Sequence, residues 1–66
     1  MSVAKVVEIN AASSKSFEDA IRTGIRKMSE TVDNIEGVWV KEQKVVVNDG
    51  EIAEFRVNMK VTFIVK

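Results

Sequence analysis

The last stretch of the chain alternates apolar and polar residues, and this pattern constrains the fold more than any other feature. Apolar side chains occupy every second position from Phe55 to Val65, and the residues between them are mainly polar: Glu54, Arg56, Asn58, Lys60, Thr62 and the apolar Ile64. A period of two predicts a long β-strand with one apolar face and one mainly polar face. The apolar face needs a partner element. The polar face must be solvated, line a cavity or meet other subunits.

A helix is predicted upstream of this strand. Ser16 is suited to be its N-cap, because the Ser16 hydroxyl can accept from the N–H of Asp19 while the Asp19 carboxylate reaches back to the Ser16 N–H. Beyond the cap, apolar residues recur every three or four positions and form one stripe: Phe17, Ala20, Ile21, Ile25, Met28, Val32 and Ile35. The helix should end at residues 33–34. Gly24 lies on the apolar side, which favours close packing against a strand.

Two further segments, residues 3–10 and 38–47, are predicted to be strands because both are rich in Val and Ile. The small and polar residues 11–14 suit a loop, and Asp49-Gly50 indicates a tight hairpin turn. The predicted fold class is therefore α+β, with a three-stranded antiparallel sheet in the order β-α-β-β wrapped around one helix. We expect a single domain over residues 1–66.

The composition limits how so small a domain can be stabilised. The chain has 66 residues without Cys or His, which excludes disulfides and zinc sites of the Cys/His type. A domain of this size buries only about 60% of the surface of its unfolded chain and often depends on a metal or on partner subunits. Oligomerisation is the main expectation. A hard cation held by carboxylates is the remaining metal class, and the sequence assigns no ligands to it.

The same absences argue against catalysis. Without His, Cys or Tyr, the chain has no serine or cysteine triad and no imidazole to transfer protons, so we predict no catalytic residues and no enzyme. The 10 Lys+Arg and 10 Asp+Glu residues balance without a basic face, which argues against nucleic-acid binding. No apolar run could span a bilayer, and residues 1–5 do not look like a signal peptide. We therefore expect no membrane partner and a cytoplasmic location.

Three side chains are candidates for ligand binding: Trp39, Gln43 and Arg56. Simple alternation along the second strand puts Trp39 and Gln43 on one face. The Trp39 ring either packs at a subunit contact or stacks on a planar ligand, helped by Gln43 and Arg56. Arg56 either forms an ion pair with Glu42 or Glu54, or its guanidinium group binds an anion such as phosphate. The residues alone leave both pairs of alternatives open.

The chain resembles the dodecin family over nearly its whole length, in the segments KVVEINAASSKSFEDAI, TVDNI and EFRVNMKVTFIV. Dodecins are small bacterial and archaeal proteins in which a three-stranded sheet wraps one helix and twelve copies build a hollow shell. The resemblance therefore implies a homododecamer. It also implies non-enzymatic binding and storage of a flavin, which could be riboflavin, FMN or FAD, between subunits.

The flavin contacts implied by the resemblance are altered in this chain. Many dodecins stack a Trp at the start of strand two on the flavin ring, and a Gln in strand three bonds the ring edge. The matching positions here hold Gly37 and Arg56, and Trp39 follows two residues after Gly37 on the same face. One expectation is flavin binding by Trp39, Gln43 and Arg56. The alternative is a dodecin-like oligomer without flavin that binds calcium or has a structural role.

Overall fold

The computed structural model describes residues 3–66 of the chain. Its elements are β1 (Val3–Ser13), α1 (Phe17–Ser29), β2 (Ile35–Asn48) and β3 (Glu51–Val65). The strands form one antiparallel sheet in the order β1-β3-β2. The predicted α+β class and the β-α-β-β order are thus confirmed. Met1 and Ser2, which begin the predicted domain and the segment compared with signal peptides, lie outside the described residues.

The central strand β3 decides which face of the sheet is buried. Val57, Met59 and Val61 are at most 2% exposed. They alternate along β3, so their side chains share one face, and α1 packs on that face through Ala20 and Phe17. Aliphatic side chains from β1 and β2 complete the core. The predicted apolar face of the last strand is confirmed.

Gly24 lets α1 lie close to the sheet. A Cβ atom at this position would stand 2.7 Å from Met59 Cε and 3.2 Å from Ala11 Cβ, which is tighter than packed side chains tolerate without moving. The predicted close approach is confirmed, and it involves β1 and β3 together. The glycine therefore fixes the distance between the helix and the regular part of the sheet.

Two serines hold the start of α1. Ser16 is the N-cap, and its Oγ accepts from the N–H of Asp19 at 2.9 Å, as predicted. The predicted return bond from Ser16 N–H to Asp19 is wrong. The Asp19 carboxylate instead accepts from the Ser13 hydroxyl at 2.7 Å, and Ser13 Oγ accepts from the N–H of Ser16 at 3.4 Å. Ser13 thus connects the end of β1 to the start of the helix.

The predicted loop at residues 11–14 is mostly strand. Ala11 and Ala12 extend β1 and pair with β3 up to Ser13, and Ala11 packs against the core beside Gly24. Small polar composition suggested a loop, but the small size is what allows this part of β1 to fit beside the helix. The tertiary contact therefore overrides the local preference.

The helix is shorter than its apolar stripe predicts. It ends at Ser29, and the chain leaves it through Asn34, which has a positive φ of 63°. Three of the residues between are poor helix formers, namely Thr31, Val32 and Asp33. Strand β2 begins at Ile35, opposite Phe63 of β3. The predicted end at residues 33–34 and the predicted strand start at residue 38 are both too late. Within residues 3–66, the helix is too short and too polar to cross a membrane.

Candidate functional site

The sheet has a second face, turned away from α1, which we call the outer face. It carries the polar side of β3 and the paired residues of β1 and β2, and these form three rows across the strands: Glu8, Lys60 and Trp39; Asn10, Asn58 and Glu42; Ala12, Arg56 and Lys44. We call them the Trp39 row, the Asn58 row and the Arg56 row. Successive rows are two residues apart on β3, or about 7 Å.

Trp39 is the most prominent side chain of this face. It is 65% exposed, and the Lys60 ammonium group lies 5.2 Å from the centre of its ring, within the range of a cation–π contact. Gly37 lies on the same face, opposite Thr62, and no heavy atom stands within 4 Å of the place where its Cβ would be. The Trp39 indole therefore contacts the Lys60 ammonium group and has open space beside it at Gly37.

Gln43 does not share the outer face with Trp39. Trp39 pairs with Lys60, whereas Gln43 pairs with the buried Val57. The register shifts where Lys41 is inserted into β2 without a partner on β3. Such a bulge exchanges the faces of the residues that follow it, relative to simple alternation. The predicted common face of Trp39 and Gln43 is wrong for this reason, and Gln43 is exposed on the helix side of the sheet.

The Asn58 row contains an unusual acceptor. The Asn58 amide donates through Nδ2 to Asn10 Oδ1 at 2.7 Å. Its own Oδ1 is buried and has no hydrogen-bond partner within residues 3–66. Buried carbonyl oxygens without a partner are uncommon, since each costs free energy relative to solvation. Asn58 Oδ1 is thus a buried acceptor, next to Glu42 in the row, whose hydrogen bond is not made within residues 3–66.

The Arg56 row brings two cations together. Arg56 Nε donates to the Glu54 carboxylate, so the predicted ion pair with Glu54 is formed on the half-exposed surface. Lys44 stands directly opposite Arg56 and has no carboxylate within 4.0 Å in residues 3–66. Like charges in directly opposed positions destabilise a sheet. Because Glu54 offsets the charge of Arg56, Lys44 supplies the net positive charge of this row, and the small Ala12 lies on the other side of Arg56.

An open groove of about 520 Å³ runs over the Asn58 and Arg56 rows. Its lining consists of both rows together with their neighbours along the strands: Asn10, Ala11, Ala12, Glu42, Gln43, Lys44, Glu54, Arg56, Val57 and Asn58. Of the three predicted site residues, Arg56 lines the groove from the outer face and Trp39 does not line it. Gln43 belongs to the lining by its position on β2, although its side chain is on the helix side of the sheet. Trp39 and Arg56 nevertheless belong to one outer face, about 13 Å apart along β3.

Sequence reasoning did not select Asn10, Asn58 or Lys60. A signal for Asn58 and Lys60 existed, because the alternation of β3 places both on the face of Arg56. Asn10 is 48 positions away from its partner Asn58. Its contact depends on the register between β1 and β3, for which the chain carries no local signal.

The described residues offer no metal site within one chain. Across residues 3–66, no three Asp, Glu, His or Cys side chains come close enough together to hold an ion. On the outer face, Glu8 Oε2 lies 3.8 Å from Lys41 Nζ, so this carboxylate is already paired. A cation bound by carboxylates would therefore need ligands from several subunits.

Comparison with known proteins agrees with this geometry. A dodecin from Streptomyces davaonensis is 35% identical, with a TM-score of 0.93 over 98% of this chain and 96% of that chain. A protein from Mycobacterium tuberculosis, described as a calcium-chelating antigen and calcium dodecin with a calcium-binding site, is 31% identical, with a TM-score of 0.84 over 97% of this chain and 91% of that chain.

Another similar structure shares the fold at lower identity. A variant of the Thermus thermophilus dodecin is 24% identical, with a TM-score of 0.95 over 100% of this chain and 98% of that chain. No curated protein sequence matches the chain. The sequence model of the family named Dodecin matches residues 3–66, which include all three strands and the helix. The chain therefore belongs to the dodecin family.

Proposed function

We propose that this protein is a non-enzymatic storage protein that forms a homododecamer in the cytoplasm and binds a flavin (riboflavin, FMN or FAD) between its subunits. The observation that carries the proposal is the exposed indole of Trp39 on the outer face. An aromatic ring beside open space is suited to stack on the planar ring system of a flavin. The flavin itself would supply the absorbing and redox-active ring.

One protomer cannot enclose such a ligand. The outer face is open, and Trp39 offers a stacking surface on one side only. Large apolar side chains are exposed near both ends of the sheet: Val3, Val6 and Val65 at one end and Val45, Val47 and Ile52 at the other. Exposed apolar surface of this kind marks subunit contacts. A second copy placed against Trp39 would cover the other side of the ligand and exclude water from it.

The three predicted contacts have different roles in this proposal. Trp39 stacks on the ring, and the open space at Gly37 leaves room for its edge. Arg56 can only donate hydrogen bonds, so it suits carbonyl or phosphate oxygens and cannot accept from a ring N–H as a Gln can. Gln43 is exposed on the helix side. Its side chain can therefore contact a ligand or another subunit on the helix side of the sheet, opposite to the face that carries Trp39 of the same chain.

Titration with riboflavin and FMN tests the flavin proposal. Trp39 is the only Trp, so its fluorescence reports on stacking directly, and we expect saturable quenching at micromolar ligand. The Trp39→Ala variant should bind flavin about tenfold or more weakly, as judged by flavin fluorescence, whereas Trp39→Phe should keep part of the affinity. Absence of quenching at micromolar flavin rejects the proposal. Native mass spectrometry counts the subunits, and a monomer contradicts the dodecamer.

Calcium binding without flavin is a second candidate, favoured by the 31% identity to the Mycobacterium tuberculosis calcium dodecin. Because one chain brings no three acidic side chains together in residues 3–66, carboxylates from several copies would have to meet at a symmetry axis. Calorimetric titration with Ca²⁺ tests this candidate. Heat of binding together with a loss of stability on chelation would support it. No heat and unchanged stability would leave only a structural role as the alternative to flavin.

A further inference from the structure

We propose that the end of strand β2 adds to the edge of β1 in a second copy of this chain, so that Val45 and Val47 fill a groove between α1 and β1 of that copy. The contact presupposes the homo-oligomer proposed above, and it assigns the surfaces through which the copies meet. Because these two surfaces differ, the contact is heterologous and can repeat from copy to copy until a ring closes.

The end of β2 is a regular open edge. The strand order β1-β3-β2 gives β1 and β2 one neighbour each within residues 3–66. Proteins usually protect such edges with bulges and charged residues. Strand β2 is interrupted in this way at Glu36 and Lys41, which have no partner on β3. From Glu42 to Asn48 every residue pairs in succession, and the remaining shift falls on Ala53 of β3. This part of β2 can therefore accept another strand.

The same part of β2 has apolar side chains on the helix side of the sheet. Val45 pairs with Phe55, whose ring packs on Phe17 of α1. Val47 follows two residues later on the same side, and it pairs with Ile52. Val47 and Ile52 are both more than half exposed. We call residues 45–52 the hairpin tip.

The hairpin tip is not covered by its own chain. β1 stops pairing with β3 at Ser13, opposite Phe55, and α1 packs on β1 and β3. Beyond this point β2 and β3 form a two-stranded ribbon. Such a ribbon is marginally stable in water unless another strand or a helix packs against it. A second copy can supply both elements.

The edge of β1 offers a groove of about 390 Å³ between the strand and α1. Its lining includes Ile9, Ala11 and Gly24, where the helix meets the strand, and the exposed Thr23 and Lys27 on the flank of the helix. β1 pairs with β3 without a shift, so its open edge is regular as well. Extended segments bind such an edge by adding a strand whose alternate side chains enter neighbouring pockets.

Strand addition places the side chains of the hairpin tip in this groove. An added strand lies about 4.8 Å from β1 and continues its pleat. With the helix sides of the two copies aligned, Val45 and Val47 point toward α1 of the second copy, about 7 Å apart. There they pack against Met28 and cover Ala11, which are both only half buried in one chain. The contact thus buries apolar surface on both copies.

The charges favour this contact over a contact between two hairpin tips. Among the described residues, the groove lining includes one charged side chain, Lys27. Its pair with Glu30 spans 3.8 Å between exposed groups and contributes little. The tip carries Asp49 and Glu51, which have no cation within 4.0 Å in residues 3–66. Two tips would oppose their carboxylates, whereas the groove brings them to a cation.

Cysteine cross-linking of the intact oligomer tests the contact, because the chain has no Cys of its own. Val47→Cys is combined with Thr23→Cys in one variant and with Lys27→Cys in another, and both are oxidised with diamide. We expect at least one double variant to give covalent species larger than a dimer, and the single variants to give none. A covalent dimer from Val47→Cys alone would show a symmetric contact and overturn the proposal. Absence of cross-links in both double variants would also overturn it.

Charge insertion measures how much the contact contributes to assembly. Val47→Asp would bury an unpaired carboxylate in the groove, and we expect the protomer concentration at half-dissociation to rise about tenfold or more. Ser14→Asp adds the same charge at an exposed loop position and should assemble like the parent. Native mass spectrometry over a dilution series compares them, and circular dichroism checks folding. Parent-like assembly of Val47→Asp overturns the proposal. A monomeric parent would reject the homo-oligomer altogether, whereas an intact oligomer without cross-links rejects only this contact.

Discussion

The two halves of the sheet differ in regularity. β1 and β3 pair through eleven successive residues without a shift, and α1 packs over this half. β2 and β3 pair with three register shifts, and β2 extends beyond the helix. The regular half holds the core, where each side chain must fit its neighbours. The irregular half has fewer packing constraints, and a bulge can re-aim its side chains without loss of core contacts. Trp39 and Lys44, which face outward, belong to this half.

The largest expected effect comes from the regular half. Met59→Ala removes a fully buried side chain that packs under Gly24, and we expect a loss of about 2–5 kcal/mol in the free energy of unfolding because a cavity remains. Glu36→Ala in β2 is the control, since Glu36 is exposed on the same sheet and is not among the apolar side chains at its ends. Chemical denaturation at one fixed protomer concentration measures both. A Met59→Ala variant no less stable than Glu36→Ala would contradict the contrast between the halves.

Alanine at two glycines sharpens the same contrast. Gly24→Ala should lower stability by about 1–2 kcal/mol, because overpacking against Met59 and Ala11 outweighs the gain of about 1 kcal/mol in helix propensity. In Gly37→Ala, no heavy atom lies within 4 Å of the position of the added methyl group. It should therefore leave stability unchanged, and by filling space beside Trp39 it should weaken flavin binding. Thermal unfolding and the Trp39 titration separate the two effects. A stabilised Gly24→Ala protein would show that the helix can move away from the sheet.

The N-cap of α1 is expected to have a smaller effect. Ser16→Ala removes the acceptor of the Asp19 N–H, which typically costs about 1 kcal/mol. The exposed neighbour Ser14 provides the control, and Ser14→Ala should stay within about 0.5 kcal/mol of the parent. Equilibrium unfolding monitored by circular dichroism compares the two variants. Equal stabilities would mean that Ser13 alone holds the start of the helix.

Deletion of Lys41 should have the smallest effect and tests the irregular half directly. The deletion removes the inserted residue and the half-exposed ion pair with Glu8, which contributes about 0–1 kcal/mol. Trp39 and Gln43 should keep their partners on β3 and therefore their faces. Nuclear magnetic resonance contacts between strands, together with unfolding, measure the outcome. If β2 changes its register with β3 in this variant, the inserted Lys41 itself determines how the two strands pair. If the register stays, the bulge only accommodates an extra residue.

Much of the fold could be predicted because its signals are local. The alternation of β3 predicted its buried face, and Ser16 predicted the start of the helix from a contact three residues away. Boundaries that depend on distant contacts were predicted less well. β1 continues through Ala11 because that residue packs beside Gly24, and the helix ends early because β2 must pair with β3 from Ile35.

The candidate site could be predicted in part. Trp39 and Arg56 were selected for their chemistry, and both lie on the outer face. Gln43 was assigned to the wrong face because no residue pattern predicts the bulge at Lys41. The partnership of Asn10 with Asn58 was missed, since 48 positions separate them along the chain. Residue type thus identifies candidates, and strand register decides which of them meet.

By itself, the sequence determined the elements, their order, the apolar face of β3 and the dodecin resemblance, because periodicity, capping and motif residues act over a few neighbouring positions. Only the tertiary structure decided that Trp39 and Gln43 face apart and that Lys44 stands opposite Arg56. It also left Asn58 Oδ1 without a partner in residues 3–66. A register shift of one residue turns every following side chain to the other face, and that shift results from packing across strands, which no short segment of the chain records.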